Sequence, residues 1–281
     1  MVDFGRPLKR ALVGRVRAVF HDAARGDAPI VRSSDALFAR TSVIWRVHGD
    51  VTTMMVGGVA ALLLQMLHPA ALAGIWDHST FRDDMLGRLR RTARFIAMTT
   101  YADRADADAA IERVKAVHDR VTGTLADGSA YAANDPHLLA WVHVTEALCF
   151  LKAWIRYGEP DMSRADQDRY FAEFAEIARR LGADPVPDTR AGAEALVTRF
   201  RPELHADART REIAHLVLRQ NAPSPAAAPV QKVTMDAAVD LLPDWAATMH
   251  GLPVRQLRTP AVRLSTMLLA GTLRWAFSGN R

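Results

Sequence analysis

Helical periodicity recurs along nearly the whole chain, and each run is closed by its own stop signal. Gly123 and Gly158 follow two such runs, and Leu181-Gly182 precedes Pro185 and Pro187. Asp135-Pro136 opens another run with a cap residue and a proline at the first helical position. Ser163 with Asp166 reads as a capping box. Alternating strand patterns joined by hairpin turns do not compete with these signals. The spacing predicts helices over residues 8–23, 50–67, 84–100, 105–123, 136–157, 163–181, 189–201, 207–219, 233–240 and 254–277. The expected fold class is therefore all-α: a single globular multi-helix domain with a C-terminal helical extension. The expected boundaries are a body over 1–220, a Pro/Ala-rich exposed loop over 221–232, and the extension over 233–281 packing on the body.

Several functional classes are excluded early. Lys and Arg outnumber Asp and Glu by 36 to 31, a net +5 that is spread along the chain without a basic block or interleaved aromatics, so a nucleic-acid surface is not expected. The single cysteine, Cys149 in "EALCFLKAW", permits neither an internal disulfide framework nor a Cys-rich metal site, and reads as a small buried hydrophobe. C-x-x-C-H, and with it covalent haem attachment, is absent. The longest apolar run, Met54 to Leu67, is fourteen residues and ends at His68-Pro69. A membrane span needs about twenty, so this run is expected as a buried helix. Charges interrupt residues 1–27 every few positions, unlike a signal peptide. The expected location is cytoplasmic.

The run "GRLRRTARFIAMTTY" places Arg88, Arg90, Arg91 and Arg94 within seven positions. At 100° per residue, Leu89, Ala93 and Ile96 centre the buried arc. Arg90 and Arg94 fall on the far side and are expected in solvent; Arg91 is intermediate. Arg88, stacked with Thr92, Phe95 and Thr99, borders the interior. A buried guanidinium requires an acceptor. That acceptor is either an internal carboxylate, such as Asp77, Asp83 or Asp84, or a ligand.

Among ten histidines, four stand out. His118 falls within an apolar arc made with Ile111, Val114, Val117 and Val121. His143 sits at the margin of a broad arc with Ala147, Leu151 and Trp154. His68 and His78 flank the end of the long apolar run. His21, His137, His205 and His250 lie in polar or loop-like contexts. A zinc site lacks ligands, with neither H-E-x-x-H nor a close Cys/His cluster. A helical di-iron site needs two E-x-x-H pairs, and only Glu212 with His215 fits. Haem asks less: one neutral imidazole, an apolar slot and cations for two propionates. There is no G-x-S-x-G elbow, and Cys149 shows no sign of thiolate activation.

The segments "SVIWRVHGD", "LLLQMLHPAALAGIWDHSTFRDDMLGRLRRTARFI", "VKAVHDRVTG", "DGSAYAANDPHLLAWVHVTEALCF" and "DRYFAEFAEIARRLG", in order over residues 40 to 185, resemble the MpaB-like oxygenase family, which is related to the catalytic domain of the latex clearing proteins. The resemblance implies an all-helical fold holding non-covalent haem b. It implies a histidine as axial iron ligand, corresponding to His118, with His143 in reserve. The family's Arg-x-x-Lys-Thr segment is matched at Arg88 and Thr92, which would polarise oxygen or anchor a propionate. Arg91 replaces the lysine, and a guanidinium is a poor iron ligand, so a lysine-capped resting state is not carried over. Arg88 and Arg91 join His118 and His143 as the cofactor-binding set. The implied activity is that of a haem b oxygenase using O2 and an electron donor on a small apolar, isoprenoid- or lipid-like unsaturated substrate. The competing class is a haem- or apolar-ligand-binding sensor or carrier without turnover.

Overall fold

Twelve α-helices and one small hairpin form the regular structure of residues 9–10, 13–14, 29–222, 224–252 and 259–278, the part of the chain described by this computed structural model. They are α1 (Val43–His48), α2 (Val51–Gln65), α3 (Pro69–His78), α4 (Met85–Tyr101), α5 (Arg104–His118), β1 (Thr122–Thr124), β2 (Ala130–Ala132), α6 (Pro136–Tyr157), α7 (Arg164–Leu181), α8 (Arg190–Phe200), α9 (Ala208–Arg219), α10 (Ala228–Leu241), α11 (Asp244–Met249) and α12 (Thr259–Phe277). The chain is thus a predominantly all-α single domain. The helix expected over 8–23 lies, apart from four residues, outside the described part.

The centre of the molecule is the pair α2 and α6, which make the most extensive helix contact in the fold. Both are apolar on nearly every face, the signature of a helix enclosed by others. Helix α6 is long and apolar enough to cross a membrane, and 72% of that window is buried inside the fold. Trp141, Phe150, Tyr170 and Phe171 are fully buried around this pair. Each such side chain contributes roughly 1.5–3 kcal/mol of transfer free energy. Gly57 permits the close approach: a Cβ there would meet Phe150 Cδ1 at 2.8 Å and the Cys149 carbonyl oxygen at 3.0 Å. Cys149 is buried, as its apolar context predicts.

The caps follow the sequence signals. Asp135 accepts from Leu138 N, Ser163 accepts from Asp166 N, and Gly182 closes α7 at φ 95°. Asp50 opens α2 by accepting from Thr53 N at 2.8 Å. At His68-Pro69 the chain bends by 103° between α2 and α3. His68 Nδ1 accepts from Ala70 N at 3.2 Å, so this histidine caps α3.

Two expectations need correction. Residues 228–232 are helical, because Pro229 sits in the first turn of α10, where a missing N–H costs nothing. The Pro/Ala-rich loop therefore ends at 227, after a 3₁₀ turn at Pro225–Ala227. Helix α5 stops at His118 rather than running to 123, since Thr122–Thr124 pairs antiparallel with Ala130–Ala132. "DGSAY" forms the turn of that hairpin, with Gly128 at φ 89° and Asp127 accepting from Ser129 N.

Candidate functional site

Helix α4 packs against α5 and α1 but stands off from α2. The gap between them is a cavity of about 500 Å³, within the range of small-molecule sites. Its walls are apolar: Met54, Val59 and Leu62 from α2, Leu89, Ala93 and Ile96 from α4, Phe150 from α6 and Met235 from α10. Polar groups sit on this apolar frame. Arg88 and Thr92 line one edge of the α4 face, and Arg90 and Arg94 line the other. The expectation that Arg90 and Arg94 lie in open solvent is therefore wrong. A wheel assumes one buried arc, whereas the cavity widens the inward face until its rims include both arginines.

Arg88 is the inward arginine, as the spacing predicts. Its Nη1 donates to Ser79 Oγ at 3.3 Å. The carboxylates expected to neutralise it are engaged elsewhere: Asp84 accepts from Gly87 N and pairs with Arg91 at 3.3 Å, and Asp77 accepts from Tyr131 Oη at 3.0 Å. Among the described residues no carboxylate pairs with Arg88. Burial, then the neighbouring Arg91 charge, lower its pKa to about 10, so it remains cationic at neutral pH. Thr92 Oγ1 donates to the Arg88 carbonyl at 3.3 Å, one turn back. Arg91 is exposed on the outer face of α4.

His118 ends α5 close enough to Arg88 for the guanidinium charge to act on it. Burial lowers its pKa, and Arg88 acts in the same sense against the Asn134 side chain and Asp119. Its Nδ1 and Asn134 Oδ1 are both buried without a partner in strict hydrogen-bond geometry, although the Asn134 side chain lies close enough to act on the ring as a hydrogen-bond partner. The apolar arc expected around it is incomplete, since Val117 is 46% exposed. His118 does not line the cavity, and neither does His143. His143 is enclosed against the Phe174 ring at 4.7 Å, with Nε2 unpartnered and burial depressing its pKa to about 3. The structure therefore sets Arg88 and Thr92 together on the cavity edge, places His118 near Arg88 but off the cavity wall, leaves Arg91 outside and places His143 in the core.

Two wall residues escape the sequence reading. His48 reaches the cavity from the end of α1, fixed by two partners. Thr100 Oγ1 donates to the Ile96 carbonyl at 2.7 Å, so it accepts from His48 Nδ1 at 2.9 Å. His48 Nε2 then accepts from Tyr170 Oη at 3.1 Å. With both nitrogens engaged and its pKa pushed down to about 3 by burial, His48 is a neutral structural group without a free lone pair. The second is Glu146, a carboxyl on the α6 wall whose pKa burial raises to about 7. A lone acid within an otherwise apolar helix was the signal available for it.

Elsewhere, a groove between α6 and α10 is lined by Asp240, which pairs with Arg156 at 2.8 Å and Arg263 at 2.9 Å. These mutually satisfied charges read as structural. No group of three His, Cys, Asp or Glu residues poised for a metal ion occurs among the described residues.

Fold and site together define a predominantly all-α protein built around an apolar cavity rimmed by cationic side chains. A family model described as "ER-bound oxygenase mpaB/B'/Rubber oxygenase, catalytic domain" matches residues 45–275, and the chain belongs to that family. The match extends well beyond the motifs of residues 40 to 185 and takes in α10 to α12. No curated protein and no solved structure matches the chain.

Proposed function

We propose that the protein is a haem b-dependent oxygenase that acts with O2 on an apolar, unsaturated substrate of isoprenoid or lipid-like character. Membership of an oxygenase family supports the reaction class. The observation that carries the cofactor assignment is the juxtaposition of a part-buried Arg88 lacking a carboxylate with a neutral His118 whose buried Nδ1 has only the Asn134 side chain beside it. In kind, this donor set fits haem b: His118 would hold the iron, and Arg88 would meet a propionate or an oxygen atom. Bound haem supplies the redox chemistry that activates O2.

The remaining work belongs to the chain. Burial keeps His118 unprotonated at neutral pH, leaving a ring lone pair available. Arg88 holds a fixed positive charge at the cavity edge, where the surrounding apolar groups strengthen its field. Thr92, having donated to the Arg88 carbonyl, keeps oxygen lone pairs that accept a further hydrogen bond. Met54, Leu89, Ile96 and Phe150 exclude water and select an apolar substrate.

The test is an absorption spectrum of the purified protein before and after haemin addition, beside His118→Ala. A sharp Soret band is expected that shifts on dithionite reduction and weakens in the variant, together with substrate-dependent O2 consumption that the variant loses. No band and no binding on titration would remove haem from the account. Unaltered haem binding and turnover in His118→Ala would remove His118. The position of His118 off the cavity wall favours one second reading, a haem carrier, which predicts stoichiometric binding without O2 uptake.

A further inference from the structure

Glu146 projects from α6 one turn before Phe150, and both side chains face the cavity. Among the described residues it has no hydrogen-bond or ion-pair partner, and the α2 wall opposite is largely apolar. The groups around it are committed. Tyr170, near enough to feel its charge, donates to His48 Nε2. Cys149 is a buried thiol whose pKa burial raises to about 12. On the α2 wall Gln65 Nε2 donates to the Val142 carbonyl at 3.2 Å. An unpaired carboxylate on an apolar wall is costly, whereas the neutral acid carries an O–H that needs an acceptor. No acceptor from the described residues meets it.

We propose that Glu146 is the polar anchor of this cavity, hydrogen-bonding a neutral oxygen, the carbonyl or hydroxyl of a ketone, aldehyde or alcohol, on an otherwise apolar ligand. A carboxyl kept neutral by an apolar site is an effective donor to such an oxygen. The raised pKa, set by burial alone, agrees with this geometry. A ligand carboxylate would meet a second acid at Glu146 and is drawn instead to Arg88 on the rim, so this anchor selects a neutral oxygen. The inference rests on reading the cavity as the substrate site and is independent of haem.

The test uses the full chain as purified, without added haemin, so a failed haemin titration and a failed anchor are separate results. Infrared difference spectra between wild type and Glu146→Gln below neutral pH are expected to show a carboxylic-acid carbonyl stretch that the variant lacks. Binding is then compared for 2-undecanone and undecane. The ketone is expected to bind about five- to tenfold tighter than the alkane, the worth of one net hydrogen bond. Glu146→Gln, which keeps an N–H donor, retains part of that preference, and Glu146→Leu loses it. A missing acid stretch, no ketone binding, or an unchanged ketone preference in Glu146→Leu would each overturn the proposal.

Discussion

At the scale of single residues, the buried titratable groups pull stability in opposite directions as pH changes. Glu146 has a pKa of about 7 in the folded chain against 4.5 as its ordinary value. Between those values the folded state holds a proton that the unfolded state has lost, so this contribution falls as pH rises. His48 and His143 are the reverse, with folded pKa values of about 3 against 6.5. The unfolded chain protonates first there, so stability falls as pH drops below 6.5. The two effects oppose each other over the shared window of pH 4.5 to 6.5. In Glu146→Gln the opposing slope is gone, and the urea midpoint should climb more steeply with pH across that window than in wild type. Parallel slopes would mean that Glu146 ionises normally in the folded protein.

At the scale of elements, two adjacent glycines on α2 should respond in opposite senses to the same substitution. Gly57→Ala drives a methyl into Phe150 and the backbone of α6, with contacts of 2.8 to 3.0 Å. Overpacking of this kind costs about 1–3 kcal/mol, more than the roughly 1 kcal/mol gained in helix propensity. At Gly58 the new methyl would meet only Phe150 Cε1, at 3.7 Å, and would project toward the cavity. Gly58→Ala should therefore stabilise the protein by up to about 1 kcal/mol while weakening binding of a cavity ligand. Urea denaturation of the two variants checks the signs, and equal shifts would contradict the α2–α6 geometry. The same two elements explain what the sequence could disclose. Long helices with clear caps, α6 and α7 above all, were legible to within a residue. Helix α1 was not, because five of its six residues are buried and no polar face marks its period. Helix α3 was hidden by Pro69, which reads as a stop after the apolar run although it serves as a first-turn residue. In the site, Arg88 could be placed because α4 has a polar face to contrast with. Glu146 could not, because α6 is apolar nearly all round. His48 was invisible for another reason: Thr100 and Tyr170, which fix its tautomer, lie 52 and 122 residues away.

At the scale of the whole molecule, the question is whether the C-terminal helix is an appendage or part of the body. Helices α10 and α12 pack on α2 and on each other, which encloses the α2–α6 pair from that side. Arg274 near the end of α12 is the tie. Its Nε donates to Asp50 Oδ2 at 2.7 Å and its Nη2 to the Tyr157 carbonyl at 2.7 Å. One guanidinium thus joins the N-cap of α2 to the last residue of α6. Asp50 is only 8% exposed, so without Arg274 a buried carboxylate would keep its capping bond to Thr53 and lose its cation. Removing one partner of a fully buried pair costs about 3–5 kcal/mol; with Arg274 itself 38% exposed, about 1–2 kcal/mol is the reasonable expectation. The family match ends at residue 275, just past this tie, as it would if α12 belonged to the domain. Arg274→Ala should accordingly lower the urea midpoint while keeping one cooperative transition, seen alike by circular dichroism and by tryptophan fluorescence. An early, separate transition confined to the fluorescence of Trp275 would instead identify α12 as an arm that folds on its own account.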